Sequence, residues 1–140
     1  MIFIDTWGFI ALTNKKEPKH NQVMQFLTKT WESKAVIYTS DYVLDETITL
    51  LSRKLDFNKV NQFINSLNQA INNGFINVLW ILKQDFNLAI KKRLHYEDKL
   101  DISFTDLTTA VLMEKQNITK IATEDKHFTF LNKNFEVLFL

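Results

Sequence analysis

Five short apolar runs, at 2–5 (IFID), 35–39 (AVIYT), 75–79 (FINVL), 118–122 (ITKIA) and 135–139 (FEVLF), punctuate this chain and constrain its fold. Each has strand length and β-branched or aromatic content, and helical periodicity fills the intervals between them. Trp7 to Thr13 read as a brief helix, and Pro18 fits the first turn of a second carrying Val23, Phe26 and Leu27 on one side. Ser40 can cap a third over 41–54. The fourth, over 57–72, has Val60, Phe63, Ile64, Leu67 and Ile71 at helical spacing and stops at Asn73-Gly74. Helices over 82–95 and 104–115 flank a polar connection at 96–102, and a short helical turn spans 125–131. Strands alternating with helices predict an α/β fold, a parallel sheet covered on both faces, in one domain over 1–140.

Composition narrows the function classes. A chain of 140 residues with a 46% apolar share can bury a sizeable core. The absence of cysteine excludes disulfides and thiolate zinc sites and suits a reducing, cytoplasmic setting. The opening MIFIDTWGFIAL is interrupted by Asp5 and lacks a basic leader, so a buried strand is expected there and not a signal peptide. No stretch reaches the roughly 18 apolar residues of a membrane span, so no membrane association is expected. With two glycines and one proline, the chain has no GxGxxG and no GxxxxGK[ST], which argues against nucleotide cofactors held by such loops. The net charge of +1 does not by itself announce a nucleic-acid binder. The excess of lysine over arginine, fifteen to two, is read as codon bias.

Four carboxylates, Asp5, Glu46, Asp106 and Asp125, each fall where a strand ends or near where a helix begins. Asp5 closes the first strand and can either cap the next helix or bind a ligand. Glu46 differs in helical phase from its neighbours: Asp41 and Asp45 fall on the solvated side, whereas Glu46 lies at the Leu50 and Val43 edge of an apolar arc formed by Leu44, Ile48, Leu51 and Leu55 and extended by Thr47, Val43 and Leu50. Ser103-Phe-Thr-Asp106 fits a capping box, yet the positive helix end also stabilises an ionised carboxylate, as a metal ligand requires. Thr123 or Asp125 could cap the short helical turn. In an open α/β sheet, strand ends and helix starts converge on one crevice at the topological switch point. If the first and fourth strands are neighbours there, Asp5 and Asp125 lie side by side. Carboxylates gathered in one cleft repel by about 4 kcal/mol per pair at 4 Å and an effective dielectric near 20. Such a cluster needs protons or a hard cation.

These residues resemble the PIN-domain family, the metal-dependent ribonuclease fold that includes VapC-type toxins. The matching pieces are Ile4-Asp5-Thr6, Tyr42-Val43-Leu44-Asp45-Glu46-Thr47, Ser103-Phe104-Thr105-Asp106 and Thr123-Glu124-Asp125-Lys126-His127-Phe128. The resemblance implies a three-layer α/β/α sandwich with a central, mostly parallel five-stranded sheet. It further implies an acidic quartet of Asp5, Glu46, Asp106 and Asp125 that is catalytic and holds Mg²⁺ or Mn²⁺, with Thr6, Ser103 and Thr123 as accompanying hydroxyls. The activity implied is hydrolysis of RNA phosphodiester bonds to a 5′-phosphate and a 3′-hydroxyl, by the toxin of a type II toxin-antitoxin pair. Its partners would be RNA, an antitoxin protein and a second copy in a homodimer. Trp7 departs from the usual small residue after the Asp-Thr pair, and its indole could reshape the substrate groove.

Other classes fit less well. A haloacid-dehalogenase phosphatase requires a second Asp where Trp7 stands, and a response-regulator receiver requires an Asp where Leu79-Trp80 stands. A catalytically silent RNA- or protein-binding module of the same fold and a housekeeping RNA-processing nuclease are the alternatives. Lys15, Lys16, Lys19 and His20, and likewise Lys91, Lys92, Arg93 and His95, could contact phosphates or form solvated helix faces. Trp31, Trp80 and the phenylalanines are expected in the core; His127 could be a ligand, but a lone histidine beside Phe128 is expected as a packing or hydrogen-bonding residue. Val23, Phe26, Leu27 and Trp31 could face a partner or fill the core.

Overall fold

The computed structural model describes all 140 residues. Its elements are β1 (Ile2–Ile4), α1 (Thr6–Thr13), α2 (His20–Glu32), β2 (Ile37–Ser40), α3 (Asp41–Lys54), α4 (Phe57–Asn72), β3 (Ile76–Leu79), α5 (Lys83–His95), α6 (Phe104–Gln116), β4 (Lys120–Ala122), α7 (His127–Leu131) and β5 (Glu136–Val137). All five strands join one sheet in the order β3-β2-β1-β4-β5, and every pairing is parallel. The chain builds outward from β1 to β3, returns to lay β4 on the other side of β1, and so sets its switch point between β1 and β4. All three residues of β1 are buried, as expected for a central strand covered on both faces.

One core of 28 buried residues runs through the sheet and helices, from Ile2 and Phe3 to Phe135 and Phe139. Helix α1 packs on α2 and α3, and α6 packs on both α3 and α5. Gly8 makes the approach of α1 to the sheet feasible: a Cβ there would stand 2.8 Å from Ile4 Cγ2 and 2.9 Å from the Ala122 carbonyl oxygen.

Local chemistry explains most boundaries. Ser40 Oγ accepts from the Val43 amide and starts α3, and Asp56 Oδ1 accepts from the Lys59 amide and starts α4. Gly74, at φ +74°, turns the chain after α4. Pro18 lies outside α2: the chain first makes a turn, with the His20 amide donating to the Glu17 carbonyl, before the helix begins at His20. The last helical turn begins at His127, two residues later than the sequence pattern suggests, because Asp125 is held in a turn of its own.

Candidate metal centre

Parallel pairing of Ile4 with Ala122 sets the residues that follow each strand, Asp5 and Thr123, side by side at the switch point. Asp5 Oδ1 caps α1 by accepting from the Gly8 amide at 3.0 Å, and the residue is only 7% exposed. It is therefore a cap and a neighbour of the Asp106 and Asp125 carboxylates at once, so capping does not exclude the second reading. Asp106 behaves the same way. Ser103 Oγ accepts from the Asp106 amide at 3.0 Å, and Asp106 Oδ2 accepts from the Ser103 amide at 3.2 Å. That capping box fixes the carboxyl group and occupies one of its two oxygens.

Glu46 sits in the second turn of α3, half-buried, and its Oε2 accepts a 2.7 Å hydrogen bond from the Thr6 hydroxyl. Its phase on α3 carries it toward α1, while Asp45 is exposed. Asp41 departs from the solvated face expected for it: its Oδ1 accepts from the Ile81 amide at 3.0 Å and ties α3 to the segment after β3. Asp125 follows β4 in a tight turn, its amide donating to Thr123 Oγ1 at 3.0 Å and its Oδ1 accepting from the His127 amide at 2.8 Å.

The four carboxylates share one electrostatic neighbourhood. Burial pushes Asp5 up to about 7, opposed by the Thr123 hydroxyl and Gly8 amide and reinforced by the charges of Asp106 and Asp125. Burial likewise pushes Asp106 up to about 6, with Asp125 and Glu46 adding repulsion and Ser103 opposing it. No lysine, arginine or histidine pairs with Asp5, Glu46 or Asp106. An all-oxygen set of mutually repelling carboxylates, without a basic side chain at its buried end, fits a hard divalent cation.

Two further residues belong to this neighbourhood: His127, which the sequence offers as a possible ligand but favours for packing or hydrogen bonding, and Asp101, which lay outside the sequence reading. His127 Nδ1 is 2.9 Å from Asp125 Oδ1, and its Nε2 is 2.8 Å from Asp101 Oδ2. Donor atoms of Asp106, Asp125 and His127 all lie within 4.8 Å of one another. The Asp101 carboxyl is held below its ordinary value by its own backbone amide and then by His127. Spacing two residues after Asp125 could have marked His127. Nothing in the polar 96–102 segment marks Asp101. That segment is shaped by Arg93, whose guanidinium donates to the carbonyls of Ile102 (2.6 Å), Tyr96 (2.8 Å) and Lys99 (2.8 Å).

Arg93 is thus structural and leaves the second basic patch. Lys92 is engaged as well, 3.1 Å from Glu114, so Lys91 and His95 remain exposed there. In the first patch Lys19 donates to the Phe139 carbonyl and lies 3.7 Å from Glu124, and His20 Nδ1 binds the Ala11 carbonyl at 2.7 Å. Lys15 and Lys16 stay exposed. A cavity of about 970 Å³ between α5 and α6, lined by Asp85, Lys91, Lys92 and Lys115 among others, is separate from the acids.

Aromatic placement also differs in part from expectation. Trp80 is 68% exposed, and Phe57, Phe75, Phe86 and Phe130 are exposed with it. Trp7 packs on Phe139 with ring centroids 5.5 Å apart, under Lys19, so its indole belongs to the packing of the chain end. Val23 and Leu27 are core residues, and Phe26 and Trp31 pack on Phe139 and Phe75.

A PIN domain profile matches residues 2–133. The chain is 27% identical over 135 residues to the 23S rRNA-specific endonuclease VapC20 of Mycobacterium tuberculosis, covering 92% of each. The crystal structure of that protein, described as a sarcin-ricin loop cleaving toxin, superposes with a TM-score of 0.76 at 26% identity over 93% of this chain and 94% of that one. FitAcB from Neisseria gonorrhoeae (TM-score 0.71, 18% identity, 98% and 96% covered) shares the fold. So does VapBC2 from Rickettsia felis bound to a DNA fragment from its promoter (0.68, 19%, 98% and 97%). With that profile matched across nearly its whole length, the chain belongs to the PIN-domain family.

Proposed function

We propose that this chain is a divalent-metal-dependent endoribonuclease, the toxin of a toxin-antitoxin pair, with Asp5, Glu46, Asp106 and Asp125 holding Mg²⁺ or Mn²⁺. The observation that carries this reading is a buried Asp5 that feels the charges of Asp106 and Asp125, with Glu46 acting in turn on Asp106, and that no basic side chain neutralises. The similarity to a protein named as an rRNA endonuclease supports RNA as the substrate class. When bound, such an ion supplies activation of water for attack on a phosphodiester and neutralisation of charge on the leaving oxygen.

The chain's own residues do the rest. Thr6 fixes one oxygen of Glu46 and Gly8 one of Asp5, while the Ser103 amide fixes one of Asp106. Each acid is oriented by a donor, which limits the reorganisation needed to hold a cation. Lys15, Lys16 and Lys91 are free cations on the same small domain that could attract an RNA backbone. An antitoxin and a second copy of the chain complete the proposed partners, in a single domain over 1–140.

The test is incubation of the purified chain with end-labelled RNA in Mn²⁺, in Mg²⁺ or in chelator, followed by end-group analysis. Internal cleavage that leaves a 5′-phosphate and 3′-hydroxyl, and that chelator stops, is the expected result. Metal binding without cleavage of any RNA would favour the silent binding module instead.

A further inference from the structure

We propose that His127, held by Asp101, is a nitrogen donor to the cation of the acidic cluster and makes the site select Mn²⁺ over Mg²⁺. This rests on the reading of the quartet as a divalent-cation site and adds a ligand of different chemistry to it. The Asp101 side chain is 73% exposed, and as an ionised carboxylate it can only accept, so His127 Nε2 donates across their 2.8 Å contact. In the neutral ring, Nδ1 then carries a lone pair.

That lone pair has no protein partner. Nδ1 is buried without a hydrogen bond, although Asp125 Oδ1 lies 2.9 Å away. The same Oδ1 already accepts from the His127 amide at 2.8 Å. Nδ1 thus faces a carboxylate oxygen without a hydrogen bond, and the Asp106 carboxylate lies inside the same 4.8 Å cluster. A cation shared by the three groups would give Nδ1 the partner that the chain does not supply.

The outer half of the arrangement is that of a metal-bound imidazole. One ring nitrogen donates to a carboxylate, which fixes tautomer and ring plane and leaves the other nitrogen free to ligate. Asp101 is itself well placed, because the Arg93 guanidinium pins the carbonyls of Tyr96, Lys99 and Ile102 around it. Asp101 is thus a positioning residue that acts through His127. Mg²⁺ demands octahedral oxygen coordination and keeps its waters. Mn²⁺ shares the preference for oxygen but belongs to the first-row transition series, whose affinity for nitrogen donors exceeds that of Mg²⁺. One nitrogen in an otherwise oxygen set therefore discriminates between them.

The experiment is titration of the metal-free protein with Mn²⁺ and, separately, Mg²⁺ by calorimetry, together with pulsed electron paramagnetic resonance of the Mn²⁺-bound protein. Bound Mn²⁺ should show nitrogen hyperfine modulation that His127→Gln removes. Mn²⁺ affinity should fall by about 10-fold or more in His127→Gln and in Asp101→Ala, with Mg²⁺ affinity unchanged. Asp101 is exposed, so Asp101→Ala reports on positioning even if the histidine variant is impaired in folding. Mn²⁺ bound without nitrogen coupling, or equal losses for both ions, would overturn the assignment of His127 and leave the quartet reading standing. If the wild-type chain bound no Mn²⁺, both would fall together.

Discussion

Asp5 and Asp85 are the two carboxylates this fold buries most deeply, at 7% and 1% exposure, and the chain treats them in opposite ways. Asp85, in the first turn of α5, receives the Lys115 ammonium of α6 at 3.0 Å on one oxygen and the Leu82 amide at 3.0 Å on the other. Asp5 receives the Gly8 amide but no cation, and two of its neighbours are further carboxylates. Burial of charge is common to both and distinguishes neither. What differs is the source of the neutralising charge: Lys115 supplies it at the α5–α6 contact, whereas no basic side chain pairs with Asp5, and a proton or the proposed cation would have to supply it. The first arrangement is a brace, and the second is the one proposed as a receptor.

The largest effect that separates them is on chemistry. Asp5→Asn should lower metal-dependent RNA cleavage by about 10³-fold, the equivalent of losing several kcal/mol of charge stabilisation, while preserving the Gly8 cap through the amide oxygen. Unaltered Mn²⁺-dependent turnover in that variant would erase the distinction.

Next is the pH dependence of stability without metal. Asp5 is raised from 3.8 to about 7 and Asp106 from 3.8 to about 6, so the folded state keeps protons that the unfolded chain releases. Their contribution is fully present below pH 3.8 and is lost as pH rises through those folded values. Relative to Asp5→Asn, the wild-type chain should lose on the order of 3 kcal/mol between acid and neutral pH in urea unfolding, and Mn²⁺ should restore it. Parallel curves for the two proteins would mean that Asp5 is already neutralised by the chain.

Asp85→Ala should do the reverse of Asp5→Asn. It should cost about 1–3 kcal/mol in unfolding free energy through loss of the Lys115 and Leu82 hydrogen bonds, with RNA cleavage unchanged. The smallest effect is expected of Lys92→Ala, which removes the partly exposed 3.1 Å pair with Glu114 and should shift stability by no more than about 0.5 kcal/mol. A loss comparable to that of Asp85→Ala would mark the whole α5–α6 seam as a cooperative charge network.

Much of the fold can be read along the chain because it rests on local rules. Strand runs of β-branched residues, the Ser40 and Ser103 caps and the Asn73-Gly74 stop each act within a few residues, and the elements follow them closely. Pro18 misleads because its fixed φ suits a turn as well as a first helical turn, and the 14–20 turn wins. Trp80 misleads because aromatic content predicts burial on average, whereas its position just past the end of an edge strand leaves it 68% exposed.

For the candidate site, helical phase alone separates Glu46 from Asp45, and the spacing of Ser103 and Asp106 alone writes the capping box. Both are consequences of the 3.6-residue helical period. Tertiary structure decided everything that depends on residues far apart in sequence. The β1–β4 pairing set Asp5 beside Thr123, the Thr6–Glu46 hydrogen bond joined α1 to α3, and Lys115 claimed Asp85 for structure. It alone brought Asp101 to His127 across 26 positions. A sequence fixes backbone preference and which side chains share a face. The charge neighbourhood that pairs one buried aspartate with a lysine and leaves another among carboxylates is set by which elements the packed core brings together.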